Sequence, residues 1–116
     1  MVLTCLAGPV WAEGAAPAWE GIWAAEADWC RFADKVGSHT PAPIALSRRS
    51  VDGYENSCAV TSVSQIGELR AWRLGLECQS EGASYDEDTL VMLESDDVLW
   101  RFWGTGAPVK FVRCSG

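Results

Sequence analysis

His39 is the one histidine in the chain, and an imidazole with an ordinary pKa of about 6.5 is the natural general base at neutral pH. It lies in His39-Thr40-Pro41-Ala42-Pro43, a stretch that neither a helix nor a ladder accommodates. No Gly-x-Ser-x-Gly or Cys/His arrangement surrounds it. Gly82-Ala83-Ser84-Tyr85 lacks the second glycine of a nucleophile elbow, and glycine loops of the phosphate-cradling kind are missing from the sequence. Calcium loops set carboxylates at alternating positions around a sharp glycine turn. The runs Asp86-Glu87-Asp88 and Glu94, Asp96, Asp97 do not; they read as solvated hairpin ends whose charge steers a basic partner. The chain is therefore expected to be non-catalytic, with no cofactor and no metal. A small hydrolase stays as the third reading, because two carboxylates in a cleft suffice for glycoside hydrolysis.

Five cysteines and seven tryptophans are the unusual counts in 116 residues. Cys5 falls in the uncharged stretch 1–12, which ends in Val10-Trp11-Ala12 with a small residue where a signal peptidase would cut. This stretch is expected to be a truncated secretory signal, and Thr4 ahead of Cys5 argues against a lipid acceptor. Cys30, Cys58, Cys78 and Cys114 remain, an even set that reads as a two-disulfide framework in a periplasmic or secreted protein. Their spacing is too wide for a zinc knuckle. Nine basic residues face sixteen acidic ones, for a net charge of −7. That balance disfavours nucleic acid, which is bound mainly through clustered Lys and Arg, and suits a cationic protein partner. No stretch approaches the roughly 20 apolar residues of a membrane span.

The elements that must position these residues are mostly strands. Residues 13–20 are rich in Ala, Gly and Pro and are expected to be a flexible lead-in to a single β domain over 21–116. Between Ala25 and Val36, the residues Trp29, Phe32, Ala33 and Val36 form one stripe of a short helix that Gly37 stops. Ala71 to Cys78 alternates, with Trp72, Leu74, Leu76 and Cys78 on one face. Folding Asn56–Ser64 back through a turn near Glu68 sets Cys58 opposite Cys78 and Val60 opposite Leu76. Such a pair brings two Cα atoms to about 4.5 Å, at the short end of disulfide geometry. Cys58–Cys78 is therefore expected, leaving Cys30–Cys114. A turn at Asp96 sets Met92 opposite Trp100 and Leu90 opposite Phe102, all facing the core. A further turn at 104–108 sets Val112 opposite Trp100 and Cys114 opposite Val98. The pattern is a meander of six or seven antiparallel strands with one short helix, curled into a small barrel or strongly curved sheet.

The other face of the last three strands carries Leu99, Arg101, Trp103, Phe111 and Arg113. Arginine with aromatics is the composition of protein-binding hot spots, and these five residues form the candidate contact surface. The alternative is that the helix bearing Trp29 and Phe32 covers them. The tryptophans either fill the core or line a pocket for a small apolar ligand.

Two families resemble this sequence. Gly21-Ile22-Trp23 is similar to the Gly-x-Trp that opens lipocalin-like barrels. The order Cys78, Glu81-Gly82-Ala83-Ser84-Tyr85, Trp100, Gly104, Cys114 resembles that of bacterial periplasmic inhibitors of C-type lysozyme, with Glu81 in place of the motif serine and Ser84 in place of the usual arginine. The second resemblance implies a small antiparallel barrel that inserts a loop, here Glu81, Ser84 and Tyr85, into a lysozyme cleft. An exported, non-catalytic binding protein, inhibiting a hydrolase, is the leading expectation; a lipocalin-like carrier is the alternative.

Overall fold

The computed structural model describes residues 16–115. The expected signal segment at 1–12 lies outside them. Eight strands follow one another: β1 (Gly21–Ala24), β2 (Ile44–Leu46), β3 (Ser50–Gly53), β4 (Asn56–Gln65), β5 (Ala71–Ser80), β6 (Ala83–Ser95), β7 (Val98–Phe102) and β8 (Val109–Arg113). Each pairs with its neighbours in sequence, and β8 returns antiparallel to β1 to close a barrel. The expected small antiparallel barrel is thus correct, with β1 as the strand that sequence patterning did not count.

The β4–β5 register places Cys58 opposite Cys78 and Val60 opposite Leu76, as expected. A bulge then intervenes between Val60 and Ser62. Gly75 faces it, and a Cβ there would meet Ser62 Oγ, so a larger residue would have to displace that hydroxyl. Both disulfides form: Cys58–Cys78 with Cα atoms 3.9 Å apart and Cys30–Cys114 at 5.3 Å.

The helical stripe forms a 3-10 helix over Ala27–Lys35, interrupted at Phe32 and with no fully buried residue. Tethered through Cys30 to the end of β8, it lies against β1 as a flank to the barrel. It does not cover the face proposed for it.

Inside and outside of β6–β8 are opposite to expectation. Val91, Leu93, Leu99 and Phe111 join Trp19, Trp23, Leu46, Val51, Leu74 and Leu76 in the interior, whereas Leu90, Met92, Trp100 and Phe102 are only partly buried. Leu99 (0% exposed), Arg101 (7%) and Phe111 (7%) are therefore not surface residues. Both faces of these strands are apolar, so alternation alone does not tell which one turns inward; the closing contact with Trp23 does. The β7–β8 register also moves by two residues, setting Lys110 opposite Trp100 and Val112 opposite Val98. Even-numbered slips preserve the facing of every side chain. Here the slip leaves Cys114 beyond the ladder, where its N–H donates to Ile22 O (2.8 Å) and its sulfur reaches Cys30.

The β5–β6 hairpin turns on Glu81-Gly82 alone, both with positive φ (52° and 83°). That conformation matches the twist of the flanking strands and lets β6 run for 13 residues. Asp86-Glu87-Asp88 consequently lies within β6, a correction to its expected place at a hairpin end.

Candidate functional site

The barrel has two ends. The base gathers the start of β1, the β2–β3 and β4–β5 turns, Asp96-Asp97 and the end of β8. The mouth gathers Tyr54-Glu55, Glu81-Gly82 and the β7–β8 loop over 103–108.

Arg113, expected on the contact surface, belongs to the base. Its guanidinium stacks on Trp23 (4.3 Å to the ring centroid) and donates to the carbonyls of Glu20 (2.8 Å), Ala18 (2.9 Å) and Asp96 (2.9 Å). Trp23 Nε1 in turn donates to Trp19 O at 3.0 Å. Gly21 is held at φ 152°, and a Cβ on it would come within 2.6 Å of Arg113 Nη1. Part of the expected lead-in is therefore built into the fold, with Trp19 fully buried.

Arg101 points toward the mouth from inside. Its Nε donates to Thr89 Oγ1 (3.0 Å) and its Nη2 to Glu87 Oε2 (3.2 Å), while its guanidinium lies 4.5 Å from the Trp103 ring centroid. Burial lowers the Arg101 pKa, and the Glu87 charge and hydrogen bond oppose that shift. A guanidinium remains a cation throughout the ordinary pH range, so Glu87 and the Trp103 face compensate a charge removed from water. The Thr89 hydroxyl in turn donates to Phe102 O at 3.2 Å. Arg101 is thus the support under the mouth, and the part left accessible is Trp103.

Around that support stand large apolar side chains in water: Tyr54 (51% exposed), Tyr85 (39%), Trp103 (37%) and Val109 (37%). Tyr85 is fixed by Asn56 Nδ2, which donates to its hydroxyl at 2.6 Å. Glu81 is the hairpin tip and Ser84 sits beside it, both exposed, so the expected inhibitory-loop residues Glu81, Ser84 and Tyr85 cluster at the mouth.

Charge divides unevenly between the ends. In the mouth half, Asp52, Glu55, Glu77, Glu81, Asp86, Glu87 and Asp88 stand against Arg101 and Lys110, and the 3-10 helix between β1 and β2 adds Glu26, Asp28 and Asp34 with Arg31 and Lys35. The base half balances Glu20, Glu68, Glu94, Asp96 and Asp97 with Arg48, Arg49, Arg70, Arg73 and Arg113. One arginine crosses the divide, Arg73 to Asp88 at 2.6 Å. Glu77 and Asp86 lie directly opposite each other on β5 and β6, an arrangement that costs stability between like charges.

Outside the wall, where β7 ends, a cavity of about 250 Å³ is lined by Ile66, Leu90, Phe102 and Trp103, with Asp88 and Arg73 at its rim. Sequence reading missed this cavity because it took Leu90 and Phe102 as core.

His39 stacks on Phe32 (4.6 Å between ring centroids) with Nδ1 2.9 Å from Pro41 O, and among the described residues it joins no carboxylate or nucleophile. Among the described residues no group of His, Cys, Asp and Glu is placed to hold a metal ion, and no helix is long and apolar enough to cross a membrane. No family model, curated protein or solved structure matches the chain, so its function is read from the chemistry of the mouth.

Proposed function

We propose that this chain is a non-catalytic binding domain that engages a cationic protein at the barrel mouth, with inhibition of a hydrolase such as a C-type lysozyme as its effect. The observation that carries the reading is coincidence: the end with an excess of carboxylates also presents Tyr54, Tyr85, Trp103 and Val109 to solvent. Exposed aromatics supply contact energy and an excess of one charge supplies steering, the division of labour typical of protein recognition. The two disulfides suit an oxidising compartment, where such a partner would be met. Titrating a C-type lysozyme with the domain tests this directly. Stoichiometric loss of lysozyme activity is expected, weakening as salt is raised and weakening about tenfold or more in Trp103→Ala. Undiminished lysozyme activity at saturating domain would remove inhibition of that enzyme.

The carrier reading keeps one support, since closed eight-stranded barrels commonly hold a compact ligand. Against it, Leu74, Leu76, Val91, Leu99 and Phe111 pack into the interior. An apolar fluorescent probe that binds one to one and quenches tryptophan emission would favour the carrier; a probe that stays free would discard it.

A further inference from the structure

We infer that the mouth half of β6, Ala83–Thr89, is a docking edge onto which a basic, extended segment of the partner adds as a strand, with its leading apolar side chain seated in the cavity at the end of β7. The inference rests on the binding reading above and specifies how the partner is held. β6 has 13 residues and β7 has 5. The ladder between them begins at Leu90 opposite Phe102 and runs only toward the base. On its other side β6 is paired to β5 along its whole mouth half, up to Ser80 opposite Ala83. Ala83–Thr89 therefore has one neighbour strand, and its outer row of backbone N–H and C=O groups faces no strand among the described residues. Residues 83–86 and Asp88 are exposed.

Such an edge is a template for pairing unless something blunts it, and the usual devices are proline, lysine, a bulge or a covering loop. This one is regular and contains neither proline nor lysine. Its guard is charge: Asp86 with Glu77 directly across from it, beside Glu87, which is bonded to Arg101, and Asp88, which is bonded to Arg73. Carboxylates repel an acidic strand, and a second copy of this edge would set its own carboxylates against these. They attract a basic one. The occupant is thus fixed by charge as a Lys- or Arg-bearing segment of another protein, in the strand-addition mode of peptide recognition.

The cavity supplies the rest. It is walled by Leu90, Phe102 and Trp103 and lined also by the ion pair of Asp88 with Arg73, so it lies where the line of β7 runs out and the unpaired edge begins. A segment continuing that line, antiparallel to β6, places its first outward side chain in the cavity. Following outward positions lie beside Asp88 and Asp86. Its inward positions lie beside Tyr85 and the Glu87–Arg101 pair, given the alternation of strands.

The probe is the peptide acetyl-Trp-Val-Lys-Val-Lys-Val-Lys-amide, titrated into isotope-labelled full chain with amide chemical shifts as the readout. Saturable shifts are expected at 83–90 and 102–104, with affinity falling as salt rises. The same peptide N-methylated at alternate amides keeps its charge and side chains but cannot form the ladder, and its affinity should drop at least about tenfold. Asp86→Lys, an exposed substitution, should weaken the parent peptide by a similar factor, whereas Asp97→Lys at the base should not. Equal affinity for the N-methylated peptide, shifts confined elsewhere, or no binding at all would each overturn strand addition. Because lysozyme is the probe for the mouth and this peptide is the probe for the edge, either reading can fail while the other stands.

Discussion

Both ends of the barrel place an arginine on a tryptophan, and they use the pair differently. At the base, Arg113 stacks on a Trp23 that is fully buried and spends its donors on main-chain carbonyls from two separate segments. At the mouth, Arg101 is the buried partner, its donors go to the side chains of Thr89 and Glu87, and Trp103 stays half in water. One pair ties strands together; the other holds an aromatic ring up to solvent. The charge balance follows the same division, being even at the base and strongly acidic at the mouth.

The largest effect expected from probing this contrast comes from the disulfides. Cys30–Cys114 spans 84 residues and Cys58–Cys78 spans 20. In the chain-entropy treatment their losses cost about 4.5 and about 3 kcal/mol respectively. Denaturant melts of the two double Cys→Ala variants should rank in that order, and the reverse would show that strain, not loop length, dominates. Arg113→Met comes next, at about 3 kcal/mol, because it leaves the carbonyls of Ala18 and Glu20 without their partner. Arg101→Met should cost about 2 kcal/mol, since it no longer buries a cation but leaves the partly buried Glu87 carboxylate without its partner; a loss as large as that of Arg113→Met would erase the distinction between the ends. Smallest is Trp103→Ala, expected to shift stability by under about 1 kcal/mol while reducing partner affinity, and calorimetry with and without lysozyme separates the two.

Register was legible wherever turn geometry and side-chain pairing agreed: Cys58 against Cys78, Val60 against Leu76, Met92 against Trp100 all stand as the sequence pattern implies. Facing was not legible for β6–β8, because Leu90, Met92, Trp100 and Phe102 are as apolar as Val91, Leu93, Leu99 and Phe111. Only three-dimensional closure against Trp23 separates the two sets. The Glu81-Gly82 turn stayed hidden because glutamate rarely takes the left-handed conformation it holds here, φ 52°. With the turn unseen, the extended β6 edge was unseen too. Arg113 had a recoverable signal: a lone arginine closing the last strand, in a protein whose first strand opens Gly-x-Trp, has a ring to stack on.

The seam between the first and last strands consists of just two facing pairs, Trp23 with Arg113 and Ala24 with Val112. Every other junction in the cylinder joins segments adjacent along the chain, so the sheet can grow by successive local hairpins and remain an unrolled ribbon until its ends meet. Rolling up is then the late, slow event of folding, as contacts distant in sequence are the slowest to form. Once rolled, the short join is clamped by Cys30–Cys114 and by Arg113 on Trp23, so reducing that disulfide should speed exchange of its amides more than that of amides in the long central strands.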